Sequence, residues 1–98
     1  MILDLDFNPA VQGDLDAAFE WHEQRRPGLG VKFIAAVDAT IRFIRLNPRI
    51  NPILWREIRR ASTDEFPYGV FYRVDPGMLT VVAVDHARRD PGRWRSRA

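Results

Sequence analysis

Apolar and polar residues follow two different periods along this chain, and the periods divide it into strands and helices. Residues 2–7 alternate imperfectly, which predicts a short first strand. Asn8 and Pro9 then suit an N-cap and a first helical residue, and helical spacing predicts a helix from about Pro9 to Arg25. Asp14 and Asp16 suit the positive end of its dipole. Its apolar stripe consists of Val11, Leu15, Ala18, Phe19 and His22.

A second helix is predicted from about Gly30 to Leu46, after the helix-breaking pair Pro27-Gly28. Two amphipathic helices joined by a short turn form an antiparallel hairpin. The hairpin should end at the loop 47–52, because residues that precede proline avoid the helical region. The apolar stripe of the second helix consists of Phe33, Val37, Ile41 and Ile44, widened by Ile34, Phe43 and Leu46.

Three strands follow the helical hairpin. Leu54 to Ala61 is the first, and charged residues on both of its faces favour an edge position. Phe66 to Val74 and Met78 to His86 form a β-hairpin, and the latter strand is apolar on both faces, so we expect it to be central. The order β-α-α-β-β-β predicts an α+β fold with the helical hairpin packed on one face of a small, mostly antiparallel sheet.

Length and composition indicate a single domain over residues 1–98. A hydrophobic fraction of 46% can bury a core in a chain of this length. There is no Cys and the two His are isolated, so we expect no disulfide, no metal site and no cofactor. The N-terminus lacks the features of a signal peptide, and no apolar stretch is long enough to span a membrane. We therefore expect a cytoplasmic protein without a membrane partner.

The net charge of +2 conceals a polarity along the chain. The first 23 residues contain six acids and no Lys or Arg, whereas residues 88–98, the basic C-terminal tail, contain five Arg and one acid. Nearly all cations are Arg, whose guanidinium suits phosphate and carboxylate recognition. A partner with anionic groups is expected for the C-terminal half, although a genome rich in G and C would also favour Arg over Lys.

Four segments of the chain together resemble the RelE/ParE family, the toxins of bacterial type II toxin–antitoxin modules. They are Asp14-Leu15-x-x-Ala18-x-x-Trp21, Gly28-x-Gly30-x-x-Phe33, Asn47-Pro48, and Phe66-Pro67-Tyr68 with the ending Val84-x-His86-x-x-Arg89-Asp90-Pro91-x-x-Trp94. They occur in the family's order, at compatible spacing. The resemblance implies the fold predicted above and a cognate antitoxin as partner.

The family divides by target, and the resemblance favours one branch. RelE-like members cut messenger RNA in the ribosome, and their third strand commonly carries an Arg where this chain has Gly69. ParE-like members poison DNA gyrase, and the R-D-P-x-x-W ending looks more like theirs. The resemblance therefore implies a growth-inhibiting toxin of the plasmid-stabilisation type that binds gyrase and catalyses nothing. A ribosome-dependent endonuclease, or a member with another target or no toxicity, is the alternative.

A nuclease would need a base, an acid and cations around one phosphate. The residues available for these roles are His86, Arg88, Arg89 and Tyr72. His86 could instead orient the turn against Asp85 or Asp90, and an Arg could pair with Asp90. Tyr72 shares a strand face with Tyr68 and suits core packing better.

A toxin that acts by binding would need separate surfaces for its target and its antitoxin. The candidate target-binding residues are Arg73, Arg88, Arg89, Arg93 and Trp94. A basic aromatic tail of this kind contacts nucleic acid, docks as an arm or remains a solvated end. We expect the antitoxin to bind by an amphipathic helix on the helical hairpin, and by acidic residues or an added strand at an Arg-rich sheet edge. Its candidate contacts are Trp21, which is either exposed or packed on the second helix, and Arg56, Arg59 and Arg60.

Overall fold

The computed structural model describes residues 2–98 and forms an α+β fold. The α+β class and the helical hairpin on one sheet face are confirmed. The C-terminal half contains four strands where three were predicted, followed by a short helix. The elements in chain order are β1 (Asp4–Phe7), α1 (Val11–Arg25), α2 (Leu29–Leu46), β2 (Ile53–Trp55), β3 (Ile58–Ser62), β4 (Tyr68–Asp75), β5 (Met78–His86) and α3 (Gly92–Arg95).

The single strand predicted for Leu54 to Ala61 is wrong, because a tight turn divides this segment into β2 and β3. Arg56 has a φ of 53°, in the left-handed region, and Trp55 pairs with Ile58 across the turn. The charged pair Arg56-Glu57 therefore marks a solvated turn. The predicted edge position is also wrong for Arg59 and Arg60, because β3 lies between β2 and β4 and it is β2 that forms the edge.

The sheet has five strands in the order β1-β5-β4-β3-β2, and its neighbours are antiparallel except for β1 and β5. β5 is an interior strand between β1 and β4, which agrees with its apolar pattern, although β4 occupies the middle of the sheet. β1 pairs with β5 only from Met78 to Val81, so no strand of residues 2–98 lies beside the remainder of that edge of β5. This uncovered stretch is where the C-terminal segment attaches.

Apolar residues pack on both faces of the sheet. The inner core lies beneath the helices, where Phe33 and Ile44 of α2 meet Tyr72 of β4 and Leu79 of β5, all fully buried. The outer core is smaller and consists of Ile58, Phe71, Val82, Ala83 and Trp94, with Trp55 against it. Phe43 and Leu46 do not widen the buried stripe of α2 as expected, because they are 50% and 63% exposed.

The two helices are joined by a turn that Glu23 organises. Its carboxylate accepts hydrogen bonds from the backbone N–H groups of Gly28, Gly30 and Val31, and these bonds lower the pKa of Glu23. Only glycine fits at position 30 without a shift of the backbone, because a Cβ there would lie 2.7 Å from the carbonyl oxygen of Phe19. α1 begins at Val11, two residues later than predicted, since the Asn8 side chain accepts from the N–H of Ala10 and caps the turn before the helix. No helix in the described part of the chain is long and apolar enough to cross a membrane.

Candidate functional site

The C-terminal segment, residues 88–98, folds back onto the sheet. α3 places Trp94 on the outer face, where its ring stacks on Phe71 with centroids 4.7 Å apart and meets the ring of Trp55 edge-on at 5.9 Å. Trp94 is only 5% exposed. It is therefore part of the outer core, and a target could contact it only after this segment moved.

Asp14 anchors the C-terminal segment to the helical layer. Arg93 Nη2 lies 2.6 Å from its Oδ1, and Arg97 donates to both carboxylate oxygens at 2.6 and 2.9 Å. The N–H of Val84 donates to Oδ2 at 3.1 Å. Burial opposes ionisation of Asp14, but the hydrogen bonds from Arg97, Arg93 and Val84 outweigh it and hold its pKa below the ordinary value of 3.8. One ionised carboxylate thus joins α1, β5 and the C-terminal segment.

This anchor also covers the edge of β5 that β1 leaves open. The N–H of Asn8 donates to the carbonyl of Val81 at 2.8 Å, where β1 ends. Beyond that point Asp14 accepts from Val84, and Arg97 Nη1 approaches the carbonyl oxygen of Val82 at 3.4 Å. Side chains thus occupy the place of a strand, which protects this edge from pairing with another chain.

Sequence reasoning missed the role of Asp14, which it assigned only to the helix dipole. The one available signal was that the Asp14 motif and the C-terminal ending both belong to the family resemblance. That signal indicates that both segments matter, without indicating that they meet.

Asp85 is a second buried carboxylate close to the first, and it is only half satisfied. Its Oδ1 accepts from the N–H of His86 at 3.0 Å and lies 2.9 Å from Arg89 Nε in an ion pair. Its Oδ2 has no hydrogen-bond partner within the described chain, and Arg93 Nε lies 3.7 Å away. Burial raises the pKa of Asp85 despite the opposing charges of Arg93 and Arg89. Arg89 therefore pairs with Asp85, and not with Asp90 as one of the sequence alternatives had it.

The residues suggested for a nuclease do not converge. His86 accepts the backbone N–H of Arg88 through Nδ1 at 3.0 Å, so it orients the turn after β5. Tyr72 is fully buried, donates to the carbonyl of Pro48 and accepts from Asn51, which excludes it as a group that contacts RNA. It lies four residues along β4 from Tyr68, the partner of His86, or roughly 13 Å at the usual rise per residue. Arg88 and Arg89 are exposed on the turn.

A pocket of about 430 Å³ lies between α1 and the end of β5. Trp21 forms part of its wall and is 51% exposed, with the Arg25 guanidinium 4.6 Å from its ring centroid. This exposure decides between the two positions considered for Trp21. The pocket is lined on its other sides by Asp14, Ala17, Ala18, Tyr68, Val84, Asp85, His86, Arg89 and Arg93.

The residues suggested for antitoxin binding do not form one surface. Trp21 lies on α1, which packs over β5, whereas Arg56, Arg59 and Arg60 lie at the opposite end of the sheet. Arg56 stacks on Trp55 at 4.4 Å, and Arg59 donates to the carbonyl of Asn51. The aliphatic stem of Arg60 covers Gly69, where a Cβ would lie 2.9 Å from it. Arg73, suggested for target binding, is one-third exposed and pairs with Asp75 at 3.0 Å.

Five exposed apolar side chains at the end of α2, in the following loop and in β2 were not anticipated. They are 46–63% exposed. Beside them, a groove of about 420 Å³ lies between α2 and β3 and includes Phe43, Ala39 and Ala61 in its lining. The term apolar surface denotes the five exposed side chains and not the groove; they are Phe43, Leu46, Ile50, Ile53 and Leu54.

Comparison with known proteins agrees with the resemblance read from the sequence. A family described as "ParE toxin of type II toxin-antitoxin system, parDE" matches residues 5–91. A solved chain of the chromosomal ParDE toxin–antitoxin system from P. aeruginosa has the same fold, with a TM-score of 0.76 and 15% sequence identity over 87% of this chain and 96% of that chain. No curated protein sequence matches. The chain belongs to the ParE toxin family of type II toxin–antitoxin systems.

Proposed function

We propose that this protein is a cytoplasmic toxin that inhibits DNA gyrase by binding, catalyses no reaction itself and is neutralised by a cognate antitoxin. The observation that carries this proposal is the match to the ParE toxin family over residues 5–91. Gyrase poisoning is the activity that the resemblance assigns to the ParE-like branch.

The geometry of the candidate residues supports binding over catalysis. Tyr72 is inaccessible, His86 is engaged with the turn, and Arg89 is paired with Asp85. Gly69 lies under the Arg60 stem, so the strand position that often carries Arg in nucleases is closed to a side chain in this conformation. A binding protein requires only a complementary surface, which the exposed turn with Arg88 and Arg89 provides.

We place the antitoxin on the apolar surface and on the open edge of β2. An amphipathic helix would cover the five exposed apolar side chains, and an extended segment would add a strand beside Ile53–Trp55. The two edges of the sheet differ in charge: β1 carries Asp4 and Asp6, whereas Arg56 follows β2 directly. An acidic antitoxin segment would therefore prefer the β2 edge.

The proposal is tested by inducing the chain without a partner and measuring DNA breaks and translation at early times. Growth arrest with DNA breaks, prevented by the cognate antitoxin, is the expected result. Arg88→Glu should weaken inhibition of purified gyrase by about tenfold or more, because it reverses a charge on the proposed contact. Arg26→Glu makes the same change at the exposed end of the helical hairpin and should have no effect. Prompt translation arrest with intact DNA would contradict the proposal and favour the endonuclease.

A further inference from the structure

The pocket between α1 and β5 combines features that the proposed function does not use. It has an exposed aromatic wall at Trp21 and a floor of small side chains at Ala17 and Ala18. Its volume of about 430 Å³ is within the range of roughly 300–1,000 Å³ that small-ligand sites occupy. The pocket is therefore large enough for a planar ring that stacks on Trp21.

The polar groups around this pocket are divided into one acceptor and a cationic rim. The acceptor is Oδ2 of Asp85, which is buried and has no hydrogen-bond partner among the described residues. On the rim, Arg89 forms an ion pair with Asp85 through Nε and is half exposed, so part of its side chain is accessible to a ligand. His86 uses Nδ1 for the turn, which leaves Nε2. A ligand that fits has a hydrogen-bond donor on its ring and an anionic group outside it.

We propose that this pocket binds the base of a nucleotide that carries an exocyclic amino group, with its phosphate at Arg89 and His86. Cytosine, adenine and guanine carry such a group, whereas uracil presents a carbonyl oxygen at the corresponding position of the pyrimidine ring. The base stacks on Trp21 and its amino group donates to Asp85 Oδ2. This inference goes beyond the proposed function and does not depend on gyrase being the target.

Arg93 controls access to the acceptor. Oδ2 is buried, and Arg93 Nε lies 3.7 Å from it, too far for a hydrogen bond. The Arg93 side chain is one-third exposed and is held by Asp14 through its Nη2. In the proposed complex the Nε end of Arg93 moves aside for the amino group, and its Nη2 keeps the contact with Asp14. Burial raises the pKa of Asp85, and a hydrogen bond donated by a ligand would favour its ionised form.

The contacts of Asp85 predict that Asp85→Asn reverses the preference between cytosine and uracil. Its Oδ1 accepts from the N–H of His86 and forms an ion pair with Arg89, whose Nε lies 2.9 Å away. In Asp85→Asn the amide oxygen takes this position, because only an oxygen can accept the His86 bond and face the Arg89 charge. The amide nitrogen then takes the position of Oδ2, and a donor replaces the acceptor. The variant should prefer uracil to cytosine.

The experiment titrates the isotope-labelled full chain with CMP and UMP, and with short single-stranded oligonucleotides of deoxycytidine and deoxyuridine, followed by NMR. We expect cytosine to shift the resonances of Trp21 and Asp85 and to bind about tenfold more tightly than uracil. Asp85→Asn should invert this ratio. Asp38→Asn removes an exposed carboxylate on α2 and should leave the ratio unchanged. Binding of CMP identifies a free nucleotide as ligand, and binding of the oligonucleotide alone identifies a single strand; both support the proposal.

Trp21→Ala provides an independent test, because Trp21 is exposed and its removal should not unfold the chain. It should weaken cytosine and uracil binding alike by about tenfold, through the lost stacking. The proposal is overturned if neither base binds, if cytosine and uracil bind equally, or if folded Asp85→Asn keeps the preference for cytosine. It is likewise overturned if Trp21→Ala binds cytosine as well as the unsubstituted chain.

Discussion

Replacement of Asp14 by Asn should destabilise the fold by about 3 kcal/mol at neutral pH. Removing one partner of a buried ion pair typically costs roughly 3–5 kcal/mol, because the remaining charges are left uncompensated. The low end of this range applies here, because the side chains of Arg93 and Arg97 are 34% and 17% exposed. Both guanidinium groups can therefore regain part of their hydration when the carboxylate is removed. In a domain of this length the change corresponds to a fall in Tm of roughly 12–24 °C.

The effect of Asp14 should depend on pH with a defined sign. Its pKa is lowered in the folded state, so its stabilisation is fully present above the ordinary value of 3.8 and is lost as the pH falls through the folded pKa. The free energies of unfolding of the unsubstituted chain and of Asp14→Asn should therefore converge in acid. Urea titrations followed by circular dichroism at neutral and acidic pH measure both quantities.

Asp38→Asn is the matched control for this prediction. It removes one partner of an i,i+4 ion pair with Arg42 whose side chains are 77% and 54% exposed, so it should cost less than about 0.5 kcal/mol. The assigned anchor would be refuted if Asp14→Asn cost no more than this control. A cost that stayed constant down to strongly acid pH would refute the ionised state of Asp14.

Four further outcomes are expected. Asp85→Asn should stabilise the fold at neutral pH, because the pKa of Asp85 is raised, and this gain should disappear in urea titrations as the pH falls through that pKa. Trp94→Ala should cost about 3–5 kcal/mol by the same method, whereas a solvated Trp94 would cost almost nothing. His86→Ala should leave toxicity largely intact in a growth assay, since loss of a catalytic base would reduce it by about a hundredfold or more. Leu54→Asp should weaken antitoxin binding by about tenfold or more in calorimetry, with Val31→Asp, equally apolar and 62% exposed, as the unaffected control; dissociation by moderate salt alone would show that charge dominates.

Hydrophobic periodicity predicted the elements that bury one continuous face. α1, α2, β4 and β5 each place several apolar residues against the same core, so their patterns are long enough to recognise. β2 and β3 have only three and five residues, and the turn between them carries charges that also suit an exposed strand. The prediction therefore treated β2 and β3 as one strand, and it assigned the sheet edge to residues that lie in β3.

The candidate site was less predictable because its contacts join distant parts of the chain. Asp14 meets residues 79 and 83 positions away, and a local period contains no information on such pairs. The sequence suggested His86 and Arg89 for a nuclease, and Arg89 and Arg93 for target binding. It could not show that their polar atoms contact carboxylates and the turn backbone. Nor could it show that Phe43 and Leu46, which fit the helical stripe, face solvent.

The closure of both chain termini on β5 has a consequence for the kinetics of folding. The helical hairpin and the strands from β2 to β5 join neighbours in sequence, so they require little loop closure. β1 can pair with β5, and the C-terminal segment can reach Asp14, only when a loop of most of the chain is closed. Both contacts should therefore form late in folding. Substitutions at Asp14 should therefore accelerate unfolding and leave the refolding rate nearly unchanged. The lifetime of the folded toxin, more than the speed of its formation, would then be governed by the contact between its termini.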